Sequence, residues 1–199
     1  MEKQHEDLRA IREMMEKSTK FLSLSGLSGV SAGITALVGS AFAYFYMANK
    51  TATNSPYETT DLIILSGTSL AVLFVSFGFA VFFSRKKAHK KNQRLLNKAT
   101  MYTIYNIAVP LVVGGILCLL MLIRGNYEFI ASITLIFYGL ALVNASKYTY
   151  DEVHYLGLTE IFFGIMAAIF VSMGLMFWTI GFGICHILYG VFMHNKYDK

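Results

Sequence analysis

Six apolar stretches separated by short polar connections organise this chain, at residues 21–47, 62–84, 102–123, 129–146, 154–172 and 175–194. Most approach the ~20 residues that carry a helix across ~30 Å of hydrocarbon. None alternates with the period of two that a strand requires. Runs such as Ile107-Ala108-Val109-Pro110-Leu111-Val112-Val113 are apolar on all sides, as helices facing both lipid and neighbours must be. The pattern predicts an all-α integral membrane fold, a six-helix transmembrane bundle over 21–199. Residues 1–20 differ: Leu8, Ile11, Met15, Ser18 and Leu22 recur at three- and four-residue spacing, and Arg9 with Glu13, Arg12 with Glu16 and Glu13 with Lys17 are i,i+4 pairs. That is an amphipathic helix, read either as an interfacial cap on the bundle or as a short coiled-coil arm.

Composition agrees, with 55% hydrophobic and 15% charged residues, far from soluble usage. The cations fix an orientation. Of 17 Lys and Arg residues, only Lys50 and Arg124 fall on one side of the expected membrane, so both termini are expected in the cytoplasm. The net charge of +5 is then chiefly a topology signal, and no nucleic acid is expected as a partner. The basic loop Arg85–Arg94 is expected to touch anionic lipid. The start, Met1-Glu2-Lys3-Gln4-His5-Glu6-Asp7, lacks the pattern of a cleavable signal peptide, which predicts that the first stretch acts as an uncleaved anchor. Cys118 and Cys185 fall at depths differing by roughly 9 Å at helical rise, too far apart for a disulfide, and are expected to be free.

Small residues mark the expected packing faces. Ser25, Gly29 and Gly33 recur every fourth residue in the first stretch, as do Gly164 and Ala168 after Glu160 in the fifth, a spacing that lets helix backbones approach closely in lipid. A partner within the chain and a second copy of it both satisfy the first of these motifs, so a homo-oligomer and a membrane partner protein stay open. A faint repeat accompanies them. Gly26-Leu27-Ser28 with Gly33-Ile34 matches Gly157-Leu158-Thr159 with Gly164-Ile165, and Gly115-Ile116 echoes both. Phe77-Gly78, Tyr138-Gly139 and Tyr189-Gly190 each precede a basic residue by roughly seven positions, so three tandem helical hairpins are plausible.

Candidate chemistry is sparse. Glu160 and His186 are the two ionisable side chains deep inside the apolar stretches, each thirteen residues from Met173. A turn at Met173-Gly174 would set both ~20 Å below it, at one depth, so contact between them is predicted. Such a group in hydrocarbon is a functional candidate by default. Tyr189 shares the histidine's face. The functional reading is a proton relay or a polar binding centre; the structural one is a hydrogen-bonded pair holding two helices together. Pro110, with Asn106 four residues before it, marks an expected kink or break that could line a site. No nucleophile constellation, phosphate loop, CxxC or HExxH pattern occurs, so no enzyme activity, metal or cofactor is expected.

The opening Glu6-Asp7-Leu8-Arg9-Ala10-Ile11-Arg12-Glu13-Met14-Met15-Glu16, followed by Phe21-Leu22-Ser23-Leu24-Ser25-Gly26-Leu27-Ser28-Gly29, resembles a family of small six-span bacterial inner-membrane proteins of uncharacterised role. The resemblance is concentrated in residues 1–50. It implies a multi-pass protein of the bacterial inner membrane and carries no activity to these positions. The expected function is that of a non-enzymatic membrane protein that senses, scaffolds or regulates a partner. The alternative is a small transporter or substrate-binding membrane subunit with a polar site at Glu160 and His186.

Overall fold

Long apolar runs without internal turn residues give long helices. The computed structural model describes residues 25–54, 56, 58–90 and 98–198. Five helices come first: α1 Gly26–Ala52, α2 Thr59–Lys90, α3 Lys98–Arg124, α4 Ile130–Ala145 and α5 Glu152–Ile169. The sixth apolar stretch is composite, with α6 Gly174–Trp178, a π-helical segment Thr179–Cys185, α7 His186–Met193 and a terminal π-helical turn His194–Asp198. Every regular element among the described residues is helical, and six helical stretches are long and apolar enough to cross a membrane. The first two helices outrun their apolar limits at 47 and 84, because each residue added to a formed helix gains a backbone hydrogen bond whatever its polarity. The amphipathic helix expected over 1–20, and residues 91–94 of the basic loop, lie outside the described residues.

Neighbours in space follow the order α2, α1, α6–α7, α5, α4, α3. Two interfaces within this row are built on glycine. Between α4 and α5, a Cβ on Gly139 would meet Gly157 O at 2.6 Å, and one on Gly164 would meet Ile136 N at 2.9 Å. Between α1 and α7, a Cβ on Gly190 would meet Gly26 O at 2.6 Å, and one on Gly33 would meet Ile187 N at 2.9 Å. Gly26 and Gly157, Gly33 and Gly164, Gly190 and Gly139, and Ile187 and Ile136 therefore play matching parts in two interfaces. Such close backbone approach lets the two helices of each interface make many dispersion contacts along their length.

The buried face of α5 runs through Val153, Leu156, Gly157, Glu160, Gly164 and Ala167. It is Ala167 that is fully buried, while Ala168 is half-exposed, since a helix of 3.6 residues per turn drifts off a strict spacing of four. Likewise Gly26, Gly29 and Gly33 form the tight contacts of α1. Ser25 precedes the helix and donates its hydroxyl to Asp198 Oδ2 at 2.9 Å.

Candidate functional site

Three buried carboxylates stand at three levels of the bundle. Two sit at its ends. At the end holding Ser25 and Asp198, here the basal end, Asp198 Oδ2 accepts from Ser25 Oγ and from Gly26 N at 2.8 Å, so it caps the first turn of α1. Its Oδ1 pairs with the Lys87 ammonium at 2.7 Å, and His194 Nδ1 lies 3.4 Å from Oδ2. Lys87 also donates to Tyr150 Oη at 3.1 Å. Burial first, and the nearby Asp198 charge second, push the Tyr150 phenol up to about 12, which keeps it a neutral partner for that ammonium. Beside this cluster Glu152 accepts from Lys196 at 2.5 Å and from Tyr197 at 2.9 Å.

At the opposite end Asp61 is 1% exposed, yet each of its oxygens is satisfied. Oδ1 accepts from Tyr46 Oη at 2.5 Å; Oδ2 accepts from Glu58 N at 2.7 Å and pairs with Lys50 at 2.9 Å.

Glu160, on the buried face of α5, is 0% exposed. Gly157 and Gly164 on the same face of α5 draw α4 close and bury Glu160. Its Oε1 lies 3.2 Å from His186 Nδ1. That nitrogen also lies 3.1 Å from Gly181 O on its own helical segment. The Gly181 carbonyl can only accept, so Nδ1 carries the proton of that hydrogen bond. The other ring nitrogen, Nε2, is 3.0 Å from Tyr138 Oη on α4. Oε2 of Glu160 meets no hydrogen-bond donor among the described residues. It occupies the space beside Gly181, where a Cβ would come within 2.6 Å of it.

The π-helical segment Thr179–Cys185 ends at this histidine, and such segments are frequent at functional sites. Aromatic rings wrap the imidazole: Phe182 stacks on it at 5.8 Å between centroids, and Trp178 packs on Phe182 at 4.9 Å.

The two residues nominated by sequence thus meet across the turn Val171–Met173. Tyr189 lies one turn further along α7, packed beside the basal apolar cluster, with its hydroxyl buried and without a hydrogen-bond partner among the described residues. Asn106 and Pro110 are elsewhere, on α3. Asn106 Nδ2 donates to Tyr102 O at 2.8 Å, and α3 runs unbroken through Pro110. A proline removes one backbone bond, and continuous helix on either side absorbs that loss. The irregular helix lies instead in the sixth stretch, where the nearby Gly181 and Gly183 were the available signal. Lys87, Asp198, Asp61 and Lys50 were not nominated. Lys50 and Tyr46, four apart, offered a clue to the Asp61 cluster; nothing in the pattern announced Asp198.

Cys118 and Cys185 are free thiols, and no group of three or more His, Cys, Asp or Glu side chains fit to hold a metal occurs among the described residues. No family model, curated protein or solved structure matches this chain.

Proposed function

We propose that this chain is a non-enzymatic multi-pass membrane protein that senses protons at Glu160 and His186 and regulates a partner accordingly. One observation carries the reading: Glu160 is fully buried, and among the described residues only Oε1 of its two oxygens has a close polar neighbour, an imidazole nitrogen that a backbone carbonyl shares. A pair serving only to join helices gains most when both oxygens are held, as at Asp61 by three donors and at Asp198 by two donors and the Lys87 ion pair. At Glu160 one proton has two resting places. With the carboxyl protonated, His186 Nδ1–H donates to Gly181 O and Tyr138 O–H donates to Nε2. With the imidazole protonated, Nδ1–H turns to Oε1 and Nε2–H donates to Tyr138 Oη. Loss of that proton leaves an uncompensated buried carboxylate, so its uptake and release change the charge in the middle of the bundle.

The cation asymmetry and the resemblance of the amino-terminal segment support the bacterial inner membrane, with both termini in the cytoplasm. A second reading, a small transporter or substrate-binding membrane subunit, is favoured by the π-helical segment beside the pair, since irregular backbone at membrane depth often lines a transport site.

Trp178, the chain's one tryptophan, reports on His186 through Phe182. In lipid nanodiscs its fluorescence is expected to titrate with pH in the wild type and to stay flat in Glu160→Gln and His186→Gln. A flat wild-type curve defeats the proton-binding reading. Proton flux in proteoliposomes, lost in Glu160→Gln, would select transport over sensing.

A further inference from the structure

The two glycine interfaces have a third counterpart in the sequence that is unfilled in this structure. Odd-numbered apolar stretches carry Gly33-Ile34, Gly164-Ile165 and Gly115-Ile116; even-numbered ones carry Tyr189-Gly190, Tyr138-Gly139 and Phe77-Gly78. In the α1–α7 and α4–α5 interfaces the corresponding glycines, Gly33 with Gly190 and Gly164 with Gly139, are buried, and a Cβ on any of them would strike the facing backbone. The remaining pair, Gly115 on α3 and Gly78 on α2, is exposed, and a Cβ on either would meet nothing within 4 Å among the described residues. The residues matching Ile136 and Ile161 of the α4–α5 interface, Val75 and Val112, are 48% and 61% exposed.

Topology names the occupant of these faces. α4 passes into α5 through residues 146–151 and packs on it antiparallel; α2 passes into α3 through residues 91–97, in the same order of stretches. The basal ends of α2 and α3 already converge on one turn. Lys87 of α2 donates to Tyr150, and the Tyr102 ring of α3 stacks on Tyr148 at 5.5 Å. Ala88 and Ala99 are 3% and 5% exposed there. The α1–α7 interface has no linker, and the Asp198 cap on Gly26 N takes its place. Each of the three interfaces is therefore fastened at the basal end, and only α2–α3 gapes beyond it.

We infer that α2 and α3 form a lateral gate: open here, it closes within one chain by seating Gly78 against α3 and Gly115 against α2, completing a ring of three helix pairs, each packed through glycines. Packed interfaces of this kind have discrete arrangements, so a seam fastened at one end can switch between them. The inference rests on interface geometry and is independent of proton binding at Glu160.

Cysteine pairs in the full chain in lipid nanodiscs, with Cys118→Ser and Cys185→Ala, test it. Val75→Cys with Gly115→Cys reproduces the Ile136–Gly164 contact and is expected to form a disulfide within a monomeric chain, read as loss of both thiols without a dimer band. Leu70→Cys with Gly115→Cys is expected to stay reduced. Adding Gly78→Leu to the first pair is expected to abolish its cross-link while leaving the unfolding temperature unchanged, because the open seam has room for the side chain. No cross-link, a dimer only, or equal linking of both pairs would overturn closure in cis. A large drop in unfolding temperature in Gly78→Leu would overturn the open seam.

Discussion

The basal carboxylate Asp198 and the central carboxylate Glu160 are both buried, and they are treated in opposite ways. Asp198 draws a serine hydroxyl, a helix N-terminal amide and a lysine ammonium, so both oxygens are partnered and four parts of the fold are tied together. Glu160 has one imidazole nitrogen at 3.2 Å, and its other oxygen faces only the space left by Gly181. Asp61, at the far end, sides with Asp198. A buried charge held by several donors supports the structure; the proposed proton site is the one carboxyl of the three that has a single close polar neighbour. Burial alone therefore says little about function, and the inventory of partners decides.

The sharpest break of that comparison is Lys87→Met. It strands Asp198 without its ammonium and is expected to cost about 3–5 kcal/mol, measured by thermal unfolding in detergent. Gly139→Ala comes next, because its Cβ would lie 2.6 Å from a carbonyl oxygen; a loss of about 1–3 kcal/mol is expected from overpacking. Gly78→Ala, by contrast, is expected to be neutral or to gain up to about 1 kcal/mol in helix propensity. Equal losses at the two glycines would mean that the α2 face is already packed.

Glu160→Gln is expected to alter stability by less than about 1 kcal/mol, because the amide has the shape of the carboxyl and keeps an oxygen that can accept from His186. A loss as large as that in Lys87→Met would instead make the central pair a structural clasp. The smallest effect concerns Tyr150, whose phenol is held up to about 12 against an ordinary 10.0. The fold favours the protonated phenol, so its contribution is complete below pH 10 and is lost as pH rises towards 12. Tyr150→Phe is expected to flatten that part of the stability curve.

Much of the fold is legible without coordinates. Six apolar stretches dictate six helices because the run lengths match helical rise, and glycines repeated at near-helical spacing announce where backbones touch. Glu160 and His186 are legible for the same reason: equal distances from a turn mean equal depth on adjoining helices. Spacing fails where contact depends on partners distant in sequence. Ala168 and Ala167 are both small and apolar, and only the rotation of α5 against α4 selects the second. Pro110 carries the strongest local signal for a broken helix, yet the irregular segment forms in the sixth stretch, where the backbone of Thr179–Cys185 is drawn between Glu160, Leu135 and α1.

What the sequence determines by itself is whatever depends on length, period and charge along one helix: the number of apolar helices, the faces on which small residues lie, and the depth shared by Glu160 and His186. Tertiary structure alone decides the partners of each charge. It brings Asp198 back across 172 residues to cap Gly26, leaves Oε2 of Glu160 without a donor among the described residues, and buries two pairs of matching glycines while exposing the third. The physical reason is that hydrogen bonding and van der Waals contact act over a few ångströms, and which groups come that close is set by how whole helices dock.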